Sequence, residues 1–221
     1  MTPEEELEQY LIYLKEVPDN VWDSYVVSQD LYARHYTQRI REVIALRGKE
    51  TGRNRAAEIL MKGQTTDELI YQDKLTLKLA SPDEFLMPDS VNFAEYHNGE
   101  IKISRRLLQA LERHKDLLCR HLGCFCPQDI LFYHELFHHY EDTVEGLENA
   151  GLIVEIKVVP FFTKKVSPDS AGEIAAYEFS RKVSGIAFHP YVLGLFGLYL
   201  FKKSYACKIV KDIEYFIENT I

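Results

Sequence analysis

The stretch Phe132-Tyr133-His134-Glu135-Leu136-Phe137-His138-His139-Tyr140 decides how the rest of the chain is read. It contains the pattern His134-Glu135-x-x-His138. Pro127 is suited to a first helical position, and Ile130, Leu131, Tyr133, Phe137 and Tyr140 supply the apolar residues of a helix running through at least Asp142. On a helix, positions four apart are separated by about 40° around the axis and one turn along it. Both imidazoles therefore point the same way and can hold one zinc ion, with bonds of about 2.0–2.1 Å. Glu135, next in sequence, can reach a water on that metal without being a ligand. This is the arrangement of a metal-assisted hydrolase, in which the metal acidifies the water and the carboxylate takes its proton. His139 points about 100° away from His138, which predicts a supporting or surface role.

A catalytic zinc usually has three protein ligands and one open position. Val144 stands six residues beyond His138, so the third ligand is not a histidine at that spacing. A carboxylate from a later helix is the other common solution. The segment Gly172-Glu173-Ile174-Ala175-Ala176-Tyr177-Glu178-Phe179-Ser180 follows a helix start at Ser167-Pro168-Asp169. Glu173 lies in its first turns, and small Ala175 and Ala176 permit close packing against the first helix. Glu178 is rotated about 140° from Glu173, so one of the two faces the metal. Glu141, one turn past His138, competes locally. Tyr177 and His189 are candidates to donate a hydrogen bond to a developing oxyanion.

Upstream, the middle of the chain has the period of strands. Leu75, Leu77 and Leu79 alternate with polar neighbours, and Val91–Ser104 alternates around Asn98-Gly99. Asn-Gly between alternating runs predicts a β-hairpin with a type I′ turn. Ser104 then caps a helix from Arg105 to Leu122, stopped at Gly123. The first third reads as helices: one capped by Thr2 with Pro3 and Glu5, one starting at Ser28 and ending at Gly48, and one over Asn54–Met61 ended by Gly63. Downstream, Leu152–Val159 reads as a strand, with a buried loop as the alternative. Pro190 starts an apolar segment, and Ser204–Glu218 is a last amphipathic helix. The fold class expected is α+β, mainly helical, with a small antiparallel sheet beside the His134–His138 helix. Residues 1–74 read as an N-terminal helical region, and 75–221 as the domain that carries the metal helices.

Composition narrows the function classes. The 221 residues are 46% apolar and 27% charged, an ordinary globular balance. With 26 Lys+Arg against 34 Asp+Glu the net charge is −8, which disfavours a broad nucleic-acid surface. The run Tyr191–Phe201 lacks charge but falls far short of the ~20 residues of a spanning helix. The start, MTPEEELEQY, has no basic and apolar signal pattern. Cys119, Cys124 and Cys126 crowd into eight residues with His121, and Cys207 stands apart. That is not the spread of a disulfide framework, so a reducing, cytoplasmic setting is expected. A second zinc site in this cluster is disfavoured, because zinc sites usually separate two donor pairs.

HELFHH followed by EIAAYEFS resembles the small gluzincin-type zinc metallopeptidases of the IrrE/ImmA kind, over roughly residues 91–201. The resemblance implies a minimal zincin-like core with zinc as cofactor. In it, His134 and His138 match the metal histidines, Glu135 the general base and Glu173 the third ligand. The expected function is hydrolysis of peptide bonds in a peptide or protein substrate. The alternative is a non-catalytic zinc-binding regulatory or protein-binding module on the same scaffold, a reading that Ala175 and Tyr177 favour.

Overall fold

A computed structural model of the chain describes residues 2–81, 93–159 and 161–220. The fold is α+β and mainly helical. Helix α1 (Pro3–Glu16) opens with the expected capping box: Thr2 Oγ1 accepts from the Glu5 N–H at 3.2 Å, and the Thr2 N–H donates to Glu5 at 2.7 Å. Helix α2 (Asp19–Ser28), built around fully buried Trp22, was not foreseen in the sequence. Ser28 is its last residue and does not start a helix; its hydroxyl donates back to the Tyr25 carbonyl. Thr37 is the cap that opens α3, accepting from the Ile40 N–H.

Helix α3 (Gln38–Lys62) also corrects the expected stop at Gly48. It runs unbroken through Gly48 and Gly52 to Gly63, whose φ of 61° ends it as expected. The two glycines have a tertiary cause. A Cβ on Gly48 would lie 2.7 Å from the Ala171 carbonyl oxygen, and one on Gly52 would collide with the Ala175 carbonyl. Both acceptors belong to helix α8 (Asp169–Val183). The small residues of α8 thus give their closest approach to α3 rather than to the His134–His138 helix. Helix α4 (Thr66–Gln72), with its own Thr65–Glu68 capping box, leads into the sheet.

Strands β1 (Thr76–Ala80), β2 (Ala94–His97) and β3 (Glu100–Ser104) pair in the order β1-β3-β2. β2 and β3 form the antiparallel hairpin that Asn98-Gly99 predicts, with φ of 49° and 81° at the turn. Val91 and Asn92 of the expected hairpin lie outside the described residues. β1 joins β3 in parallel, Leu77 opposite Ile101. Ser104 caps α5 (Arg105–Arg113) as expected, but the helix breaks at His114 before α6 (Lys115–Leu122). His114 has non-helical φ −107° and ψ 17°, and its ring sits edge-on to Phe196. Helix α7 (Pro127–Thr143) carries the His134–His138 motif. Strand β4 (Val154–Val159) matches the expected strand, and β5 (Phe162–Val166), unforeseen, pairs with it antiparallel. The apolar segment after Pro190 and the last amphipathic helix form one element, α9 (Tyr191–Thr220), kinked at Lys202, where φ is −144° and ψ 64°.

Two apolar clusters hold these elements. One joins α3, α7, α8 and the sheet, through residues such as Ile44, Phe137, Phe179 and Ile101. The other joins α1 and α2 to α5 and α9, through Leu11, Trp22, Leu107 and Phe196. Residues 1–74 contribute to both. Among the described residues, no helix is long and apolar enough to cross a membrane.

Candidate metal centre

Helix α7 buries Phe132, Leu136, Phe137 and Tyr140, and this fixes its rotation. Phe137 and Tyr140 pack against Phe179 of α8, with ring centres 5.7 and 6.1 Å apart. The stripe left over carries His134 and His138, whose Nε2 atoms lie 3.3 Å apart. Glu173, on the first turns of α8, brings its carboxylate to 3.5 Å from His134 Nε2 and 3.6 Å from His138 Nε2. Among the described residues, this is the one group of three His, Cys, Asp or Glu donors that converges closely enough to hold a metal ion. The separations fit one: bonds of 2.0–2.1 Å in tetrahedral geometry put ligand atoms about 3.3–3.4 Å apart.

The chemistry of the donors agrees with the distances. His138 Nδ1 lies 2.7 Å from Glu141 Oε2. An ionised carboxylate only accepts hydrogen bonds, so Nδ1 carries the proton and the Nε2 lone pair turns to the centre. Two imidazole lone pairs facing each other at 3.3 Å repel unless a proton or a cation lies between them. Burial disfavours charge on His138. The Glu141 hydrogen bond and the charges of Glu173, Glu135 and Glu141 outweigh it and push its pKa up to about 9. Burial likewise favours the neutral acid at Glu173, but the hydrogen bond and charge of His134, with the charge of His138, hold its pKa down to about 2. The centre is therefore an anionic cradle that attracts a positive charge. His134 Nδ1 is buried with no hydrogen-bond partner, so the orienting carboxylate of His138 has no counterpart on His134.

Glu141, a competitor for third ligand in the sequence, thus sits behind His138 and orients it. Gly172 makes room for it, because a Cβ there would collide with the Glu141 carboxylate. Glu178, the other competitor, turns the opposite way and pairs with Arg53 at 2.6 Å. Glu135 is buried beside the two histidines. Burial raises its pKa, against the charges of His134 and His138 and a hydrogen bond from the Tyr96 backbone N–H. A carboxylate raised in this way is suited to accept a proton near neutral pH.

The Tyr96 N–H is available because β2 is the outer strand of the sheet. The Ser104 N–H donates to the Phe93 carbonyl, so alternation turns the backbone groups of Ala94 and Tyr96 away from β3 and toward α7. His139, the neighbour of His138, is buried and does not reach the centre. Its Nδ1 lies 3.1 Å from the Tyr96 hydroxyl, so it fastens β2 to α7.

Tyr177 is at the centre: its ring lies 4.5 Å from that of His134. Burial, then the charge of Glu173, pushes its phenol well above the usual value, so it stays a donor. His189 is not where the sequence reading put it. It lies behind Tyr177, stacked on Trp22 and tilted against the Tyr177 ring. Its Nδ1 accepts from the Tyr191 N–H, and burial holds its pKa down to about 3. His189 is a packing residue that supports Tyr177.

A cleft of about 310 Å³ opens beside His134, Glu135 and Tyr177. A second hollow of about 230 Å³ is lined by Glu173 and shares Gln29, Tyr177 and Tyr191 with the cleft. No protein family, curated protein or solved structure matches this chain.

Two features of the centre went unread in the sequence: the orienting role of Glu141 and the room that Gly172 leaves for it. The first had a signal. Glu141 is three residues after His138, on the same face of α7.

Proposed function

We propose that the chain is a zinc-dependent peptidase. The observation that carries this reading is the convergence of His134, His138 and Glu173 at tetrahedral spacing, with a buried carboxylate, Glu135, beside them. His134, His138 and Glu173 would hold the zinc. When bound, zinc supplies Lewis-acid chemistry: it acidifies a water and polarises a carbonyl oxygen. Glu135 takes the proton of the attacking water and later passes it to the leaving amine. Tyr177 donates from its phenol to the oxygen that gains charge. Outward-turned groups of Ala94 on β2 can receive an extended peptide main chain as an added strand. The free cysteines fit a reducing, cytoplasmic setting.

The test is Glu135→Gln. The amide is nearly isosteric but accepts no proton at neutral pH. With zinc loading equal in both proteins, cleavage of a peptide library falls by about 10²–10⁴-fold, the contribution of general-base catalysis. Equal cleavage by both proteins rejects the mechanism. A zinc-loaded wild type that cleaves nothing across a broad library leaves the regulatory module as the reading.

A further inference from the structure

The cleft beside Glu135 is shaped by the kink in α9. Before the kink, Tyr191, Gly194, Leu195 and Leu198 face it at helical spacing; after it, Tyr205 and Ile209 face it again. A straight α9 would carry the second pair away along its axis. At Lys202 the chain turns, and both halves of α9 wall the space, with Leu195, Leu198 and Ile209 beside the rings of Tyr191 and Tyr205. Among the described residues, no Asp, Glu, Lys, Arg or His lines the cleft apart from Glu135 and His134 at the catalytic end; its polar lining is Gln29 and the hydroxyl groups of its tyrosines.

Gly194 is the odd residue in this wall. Glycine destabilises a helix interior, so its presence there needs a cause. Four other helical glycines have one: Gly48 and Gly52 admit α8, Gly172 admits Glu141, and a Cβ on Gly197 would collide with Leu107. The remaining glycines have positive φ. Gly194 alone has neither reason. Among the described residues, a Cβ there would meet nothing within 4 Å, and the open space it would enter is the cleft.

We infer that this cleft receives one large, uncharged apolar side chain of the substrate, next to the bond that is cut, and that Gly194 sets the depth of the pocket. The inference rests on the peptidase reading for its substrate class. Ala94, whose backbone groups turn away from β3, also lines the cleft, and this supports a peptide as the occupant, because main-chain pairing there would lie beside a side-chain pocket. Away from the catalytic end, the described lining offers a charged side chain neutral hydroxyl and amide groups but no counter-ion, so burying a charge there is unfavourable.

Two measurements test it separately. The first needs neither metal nor turnover. Capped peptides Ac-Ala-Ala-Xaa-Ala-NH2, with Phe, Ala, Asp or Lys at Xaa, are titrated into the ¹⁵N-labelled chain in the presence of a chelator. The Phe peptide shifts the amides of Gly194 and Leu195 saturably and binds at least tenfold more tightly than the other three. Gly194→Leu loses that preference and Gly194→Ala weakens it. Both variants melt at or above the wild-type temperature, because nothing is displaced. Equal binding of the Phe and Asp peptides, shifts that bypass Gly194, or an unchanged preference in Gly194→Leu overturns the inference. The second measurement is library cleavage by the zinc-loaded chain. Cleavage with no preference for large apolar residues also overturns the pocket and leaves the peptidase reading intact. A Phe preference in binding with no cleavage of any peptide rejects the peptidase reading and upholds the pocket.

Discussion

His134, His138 and Glu173 are drawn from two helices and span 39 residue steps, yet their donor atoms meet within 4.8 Å. Cys119, His121, Cys124 and Cys126 offer four donors within eight residues and form no such group. The difference lies in what each side chain is already doing. His121 is held by Glu8 of α1 at 2.7 Å, and Cys119 shares a hydrogen bond with Cys124. Cys119 and Cys124 thus meet as a pair, but no third donor joins them within reach of one metal ion. At the other centre, one helical stripe aims two imidazoles, and a second helix, held by the Phe137–Phe179 contact, aims a carboxylate between them. Convergence comes from packed helices, not from proximity along the chain.

The largest expected effect breaks that convergence outright. His134→Ala or His138→Ala removes one of the three proposed ligands, and zinc, expected to copurify with the wild type at one per chain, is expected to fall to none. Elemental analysis after gel filtration measures it. Full zinc in both variants would place the metal elsewhere and reverse the comparison, with the cysteine cluster next in line.

What was legible in the sequence was local. His134 and His138 share a face because four residues make about one helical turn, and the Asn98-Gly99 hairpin follows from the φ values its turn needs. Gly63 and Gly123 read correctly as stops because a positive φ at a helix end is a local property. Gly48 read wrongly for the complementary reason. Its cause is the Ala171 carbonyl, 123 residues away, and no local pattern contains it. His189 was misread in the same way, since its stacking on Trp22 joins residues far apart in the chain. β5 was missed because its side chains Phe162, Thr163, Lys164 and Lys165 are exposed, so it lacks the alternation that marks a half-buried strand. Helix phase leaves one of Glu173 and Glu178 to face the metal, the family resemblance favours Glu173, and Glu141 competes with it locally. The atoms separate them: one carboxylate faces both Nε2 atoms, and the other faces a single Nδ1.

A smaller effect tests that separation. Glu141→Ala removes the acceptor that keeps the His138 proton on Nδ1. Zinc affinity is expected to fall by about 10–100-fold, the usual size of such a loss, while one zinc per chain still binds at saturation. Gly172→Ala should do the same indirectly, because its methyl group would push the Glu141 carboxylate off His138. A competition titration against a chromogenic chelator reads both. If Glu141→Ala abolishes binding as completely as His138→Ala, Glu141 is a ligand and the assignment of Glu173 is wrong.

The smallest expected effect is the sharpest test of the contrast between the two clusters. Cys119, Cys124 and Cys126 are all replaced by serine. Cys124 and Cys126 are exposed, and Cys119 is partly so. Serine keeps the size of each side chain and can still hydrogen-bond, but it is a far poorer zinc ligand than a thiolate. If the thiols hold no metal, the triple variant keeps one zinc per chain at unchanged affinity. Its stability should stay within about 0.5 kcal/mol of wild type, the usual range for surface substitutions. Combining it with His134→Ala completes the argument. That variant has no competent donor set left, so any zinc surviving in His134→Ala alone but lost in the combination would belong to the thiols. Zero zinc in both would mean that four donors close in sequence, of which no three converge, are no substitute for three aimed together.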